Sequence, residues 1–377
     1  MSLILSSMVL AACGSRSGLL DDLADGAVAI YPWEPRAVDA DGAVSSGAAV
    51  GARVRLPRSC AEDWATLYET EGPIVGALAV HDGELIFGVG ATLDSPSEVR
   101  ALDLGGSGRE RAIRRGSTYD DLWLEGDDLL LWIGARLLRV ALEGGDEEIV
   151  VDLGGSDPSS RVDSVLVQSD AIYWTSAENE STPLEVWRKA RSSEPPERVA
   201  SVERGTLHPR GLAATADLVI VAGGASAIAL SLRGADPQPL DVVSDGASVG
   251  VDRLGVYHER TANRTRRGGE ALEFEIRRAP ADGSPNTRLW RGSAGQRLRS
   301  LWPIESGWLA IGQYYLFDRT PHAVMAHLDD GGHATLVACD RGRNMLLGRP
   351  VFWEGAFYAV SLAGDLRRIV EIRLPDE

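Results

Sequence analysis

Along most of the chain a tight turn is followed by a compact apolar run, and the pair recurs at long intervals. "HDGELIFGV" begins at His81, "EGDDLLLWI" at Glu125, "QSDAIYWTS" at Gln168 and "TADLVIVAG" at Thr215. Weaker copies begin at Asp252, Glu305 and Trp353. The first strong apolar residue of each copy is Leu85, Leu129, Ile172, Val219, Val256, Trp308 or Phe357, an average spacing of about 45 residues, which is a blade-sized period. A second element follows in the same rhythm. "VRALDLGG" at Val99, "LRVALEGG" at Leu138, "IRRAPADG" at Ile276 and "VMAHLDDGG" at Val324 alternate apolar with polar and end in glycine. "VWRKARSS" at Val186 and "AIALSLRG" at Ala227 are degenerate copies. Period-two alternation marks a strand with one face buried, and glycine supplies the positive φ of tight hairpins. A short strand precedes the first element and another follows the second, so each unit reads as four antiparallel strands.

Seven such units predict an all-β fold: a seven-bladed β-propeller of four-stranded antiparallel blades. The last unit has three strands before the chain stops at Glu377. An open ring would expose unpaired backbone groups, so an N-terminal strand is expected to close it. The alternating "GARVRLP", Gly51–Pro57, is the expected closing strand, opposite Arg367–Leu374. "AEDWATLYE", from Ala61, reads as at most two helical turns. The period and the glycine hairpin resemble those of bacterial propeller lipoproteins with a "V-x-R-x-x-L-x-G-G" hairpin in each blade. The resemblance covers residues 52–375 and carries fold more than activity.

The N-terminus points to an address. Leu3 to Ala12 is apolar or small throughout, too short to span a membrane but suited to a secretory signal. Leu10-Ala11-Ala12-Cys13 resembles the bacterial lipobox, although Met1–Ser7 has no Lys or Arg. The resemblance implies lipidation at Cys13, and Gly14 in place of Asp implies sorting to the outer membrane of a Gram-negative cell. The expected organisation is a signal peptide over 1–12, a flexible tether over 13–50 and the propeller over 51–377. The Gly/Ala/Ser/Asp-rich tether buries too little apolar surface to order itself.

Composition narrows the function. A formal net charge of −17 argues against nucleic acid. Lys189 is the lone lysine against 37 arginines, a mark of a GC-rich genome. With Cys13 lipidated, Cys60 and Cys339 remain; a disulfide between them and two buried thiols both fit an exported protein. No cysteine–histidine spacing suits a metal, no cofactor motif occurs, and no catalytic constellation is visible. His258-Glu259 are neighbours and would point to opposite faces of a strand.

Candidate binding residues come from loop length. The turns between first and second and between third and fourth strands are tight. The connections from second to third strand are expected to be long in blade one ("GVGATLDSPSE"), blade three ("TSAENESTPLE"), blade five ("HERTANRTRRGGEALE") and blade six ("GQYYLFDRTPH"). Strand order sets these on one rim, and long loops on a rigid scaffold concentrate binding. Arg264, Arg266, Arg267, Tyr314, Tyr315 and Phe317 lead this rim, as planar donors and stiff contact surfaces. The expected function is a monomeric, lipid-anchored, non-enzymatic binding or scaffold protein for a protein or glycan partner. The alternative is a propeller enzyme of lyase or glycosidase type working at the central channel.

Overall fold

The structure, a computed structural model, describes residues 64–373 apart from short stretches within them, of which 92–95, 154–160, 243–247, 316–320, 329–333 and 340–343 are the longest. The described chain forms seven sheets of four strands. Six are built in chain order, as in blade one with Ala79–His81, Glu84–Val89, Ser97–Asp103 and Glu110–Gly116. Blade seven takes Asn344–Trp353, Ala356–Ala363 and Leu366–Arg373 from the C-terminal end and Trp64–Thr70 from the N-terminal side. The first strands of blades seven and one, one and two, three and four, four and five, and five and six touch one another, so the first strands line the centre of the ring.

The core shows why the apolar runs are unbroken. Seven apolar clusters occupy the seven interfaces between adjacent blades. In blade two, Leu129 and Leu131 pack toward blade one. Leu130, between them, packs toward blade three. A second strand flanked by blades on both faces needs an apolar residue at every position, whereas an edge-facing strand needs one at every other. The cluster between blades seven and one joins Ile369, Val360 and Tyr358 to Leu85, Phe87 and Val89, and so completes the ring.

Closure differs from the sequence expectation in its residues. Gly51–Pro57 lies outside the described residues, and the outer position of blade seven belongs to Trp64–Thr70, paired from Trp64↔Ile372 to Thr70↔Arg367. The expected helical turns at Ala61 are therefore, over the described part, this strand. A bulge between Thr66 and Tyr68 gives this strand its helix-like spacing. It moves the even positions from the face of Ile372 to that of Ile369, so Trp64 packs toward blade six and Leu67 and Tyr68 toward blade one. Trp64, Leu67 and Tyr68 then have helix-like i, i+3, i+4 spacing although the backbone is extended.

Two glycines are required by close approach. At Gly255 φ is +149°, and a β-carbon would lie 2.1 Å from the carbonyl oxygen of Ala279. At Gly223 a β-carbon would lie 1.8 Å from the carbonyl oxygen of His208. Neither position admits a side chain without moving backbone.

Candidate functional site

The two rims of the ring differ. One carries the turns between first and second strands, such as Asp82-Gly83 and Glu354-Gly355, tight where described, and also the third-to-fourth connections, which the sequence reads as tight but which span five or six residues, as at 104–109 and 142–146. The opposite rim carries the second-to-third connections, and these are uneven. Blades two, four and seven cross with two residues, 134–135, 224–225 and 364–365, while blades one, three and six use five to seven.

Blade five departs most from expectation. Its segment from His258 to Glu273 is not a loop. Gly255–Arg266 and Gly269–Pro280 are twelve-residue strands, the longest described, and they pair without interruption from Gly255↔Pro280 to Arg266↔Gly269. The first strand of the blade stops pairing at Ser248↔His258, and the outermost stops at Glu275↔Arg291. Among the described residues, Ala262–Arg266 and Gly269–Glu273 therefore pair only with each other. At about 3.3 Å per residue, this two-stranded ribbon extends roughly 17 Å past the blade.

The base of the ribbon is held by charge. Glu275 is buried, with Arg277 Nε at 3.2 Å and Arg288 and Arg291 each at 3.6 Å. One carboxylate thus holds three guanidinium groups from two strands at the point where four-stranded pairing gives way to two. His258 and Glu259, opposite Arg277 and Ile276, are both buried, so they do not form an exposed acid–base pair.

The sequence-derived binding residues divide. Arg264 and Arg266 stand on the outer half of the ribbon, opposite Ala271 and Gly269. Tyr314 and Tyr315 end the second strand of blade six, opposite His322 and Pro321. The segment expected as a loop in blade six is thus largely strand. Arg267, Phe317, Cys13 and Cys60 lie outside the described residues. Cys339 ends the outermost strand of blade six, opposite Val324.

A second group of charges, unremarked in the sequence, lines the start of the inner strands on the same rim. Asp121 opens the first strand of blade two and accepts a hydrogen bond from the Leu122 amide at 2.8 Å. It keeps some solvent contact yet is closely enclosed. Burial pushes its carboxyl up to about 7, with Asp120 adding to the shift, while the Leu122 amide and the Arg349 guanidinium oppose it. Asp120 is also raised by burial, and accepts a hydrogen bond from the Gly134 amide at 3.0 Å. Arg349 belongs to the first strand of blade seven, where pairing jumps from Leu347 to Val351 and Gly348 has φ +68°. Asp163, at the corresponding level of blade three, stands at a bulge where the register shifts between Val162 and Ser164. Its side chain is 3% exposed and meets Arg161 at 3.0 Å. Bulges re-aim side chains, and their cue in sequence is a single residue out of alternation, which a repeat search averages away. Among the described residues, no group of three or more His, Cys, Asp or Glu side chains is placed to hold a metal ion.

No known family and no characterised protein matches the chain by sequence. Solved structures match by shape. An oligogalacturonate lyase in complex with manganese superposes with TM-score 0.56 at 13% identity, covering 78% of this chain and 86% of the lyase. The oligogalacturonate lyase of Vibrio parahaemolyticus gives 0.56 at 9% identity, covering 82% and 93%. The WD40 repeats of RRP9 give 0.52 at 13% identity, covering 84% and 98%. At such identities the likeness establishes the propeller fold alone, and its hosts include both a lyase and a WD40-repeat protein.

Proposed function

We propose that the protein is a non-enzymatic binding propeller that engages a protein or glycan partner on the rim bearing the blade-five ribbon. The ribbon is the observation that carries the reading. A propeller closes its sheet edges by stacking blades, yet here two strands run on beyond their sheet and pair with nothing else among the described residues. Such edges accept an added strand through main-chain hydrogen bonds. Arg264 and Arg266 stand two positions apart on one strand of the ribbon, and two guanidinium groups so close in the chain favour an acidic, extended protein segment.

The test is a shortened ribbon. Residues 262–273 are replaced by Asn-Gly, joining Thr261 to Phe274 where they already lie opposite each other with a turn suited to a hairpin. The shortened protein should keep its melting temperature within a few degrees and lose capture of envelope partners. Arg264→Glu with Arg266→Glu should weaken capture at least tenfold. Partners retained by the shortened protein would refute the assignment of the rim.

A specific observation supports the alternative of a lyase- or glycosidase-type enzyme. Asp121 holds a proton near neutrality beside Arg349 at the inner strands, as a general acid or base requires. Turnover of an oligogalacturonide that Asp121→Asn abolishes would establish this second reading. For the address, we propose lipid attachment at Cys13 and residence at the outer membrane. Fatty-acid labelling should mark the wild type and not Cys13→Ala.

A further inference from the structure

We propose that the blade-five ribbon takes its partner along one edge only, the edge facing the ring axis, as an added strand with Asp or Glu at alternate positions. This rests on the ribbon being the docking element and adds which edge it uses and which charge pattern it reads.

Topology tells the two edges apart. Ser248–Asp252, the innermost strand of blade five, pairs with Gly255–Arg266, and Thr287–Arg291, the outermost, pairs with Gly269–Pro280. The edge of Ala262–Arg266 therefore continues on the axis side, and that of Gly269–Glu273 on the outer side. Chain length keeps the axis edge open. Five residues join Val242, at the outer side of blade four, to Ser248, a reach of at most about 20 Å. Crossing three strand spacings from outermost to innermost position takes about 14 Å of it.

The register fixes which amides each edge offers. In an antiparallel ladder, opposed residues alternate between bonding each other and turning their N–H and C=O away. The Phe274 carbonyl accepts from the Gly292 amide at 2.8 Å, so Phe274 and Thr261, its opposite, form a pair that turns away. By alternation Asn263 and Thr265 offer their amides on the axis edge, and Leu272 and Glu270 offer theirs on the outer edge. Pro280, which has no N–H, stands opposite Gly255 in a pair of the same parity.

Charge separates the edges as well. Ala262–Arg266 holds Arg264 and Arg266 and no acid, while Gly269–Glu273 holds Glu270 and Glu273 and no base. Opposite charges facing each other across a strand pair stabilise it, and like charges destabilise it. An acidic segment is therefore accepted on the axis edge and repelled from the outer one. Its acids fall opposite Arg264 and Arg266, two positions apart.

The experiment measures fluorescence anisotropy of a labelled peptide, Thr-Val-Glu-Thr-Glu-Val-Thr, with the full chain. The peptide reads the same in both directions, so either strand polarity is served. Asn263→Pro should weaken binding about tenfold or more, and Leu272→Pro should leave it within about twofold. Each proline removes an amide that does not serve the ribbon's own pairing, so both variants should melt within a few degrees of the wild type. Arg264→Glu with Arg266→Glu should lose this peptide and gain the one with Lys in place of Glu. A peptide of equal composition with adjacent glutamates should bind severalfold more weakly; equal binding overturns the alternate spacing. Loss in Leu272→Pro but not in Asn263→Pro overturns the choice of edge. No binding by the wild type, or binding unchanged in both proline variants, overturns strand addition. Concentration-dependent oligomers lost in both proline variants would make a second copy the occupant and overturn the acidic partner. Any of these outcomes, with envelope partners still lost on shortening the ribbon, leaves the rim assignment standing; peptide binding that needs the axis edge, with partners retained on shortening, refutes the rim assignment instead.

Discussion

Single carboxylates in this protein do different work according to what surrounds them. Asp252 is 1% exposed and sits in a turn on the tight rim. It accepts hydrogen bonds from the amides of Leu254 at 2.6 Å and Gly255 at 3.0 Å and from the Tyr257 hydroxyl at 2.6 Å. Burial pushes it up to about 6, and those three donors and Arg278 oppose the shift. Asp252→Ala leaves buried donors without an acceptor and should cost about 2–4 kcal/mol in chemical denaturation. Asp121 is the opposite case, a group held against its own ionisation. Its folded carboxyl titrates near 7 against 3.8 for the free side chain. Between those values the native state binds more protons than the unfolded chain, so this group's contribution to stability falls as pH rises. Asp121→Asn should therefore gain on the wild type steadily from pH 4 to pH 7 and hold that gain at pH 8. A stability difference that is flat with pH would show that Asp121 ionises freely.

At the scale of the element, the second strand of each blade is the best-specified piece. It is buried on both faces, so its composition alone declares it. Hairpins add a steric requirement, clearest where Gly255 meets the backbone of Ala279. Gly255→Ala should lower stability by about 3 kcal/mol or more, since φ and contact are both unfavourable. A Ser or Thr replacement at the outer Arg264, on the ribbon, should change stability by less than about 0.5 kcal/mol. Comparing the two by denaturant midpoint separates the scaffold of blade five from the extension it carries. The ribbon itself was readable as an insertion and not as structure. Its polar "TANRTRRGG" lacks the alternation of a strand with one face on a core, because its pairing is with itself.

For the whole molecule, the seven inter-blade cores make stability depend on closure. A deletion reaching Arg58 spares the pairing of Trp64–Thr70 with Leu366–Arg373, whereas one reaching Thr70 removes that pairing and the packing of Trp64, Leu67 and Tyr68. The longer deletion should lower the melting temperature by more than 10 °C relative to the shorter, in a calorimetric scan. Equal melting would mean that the ring does not need this strand.

The architecture was legible because it rests on repetition. Apolar runs such as "LLLW" at Leu129 and glycine hairpins such as "LEGG" at Leu142 encode their local structure through burial and turn geometry, and their spacing counts the blades. Everything that depends on residues far apart in the chain was decided only in three dimensions. The closing strand carries a bulge that disguises its period, and only its partner at Arg367–Ile372 reveals it. Asp121 and Arg349 are distant in sequence and come under each other's influence because blades two and seven flank a short first strand of blade one. Arg367 looks like any surface arginine in "LRRIVEIR". It is buried in a sheet whose outer strand, Trp64–Thr70, comes from the other end of the fold, and a local pattern carries no record of what the far end of the chain will pair with.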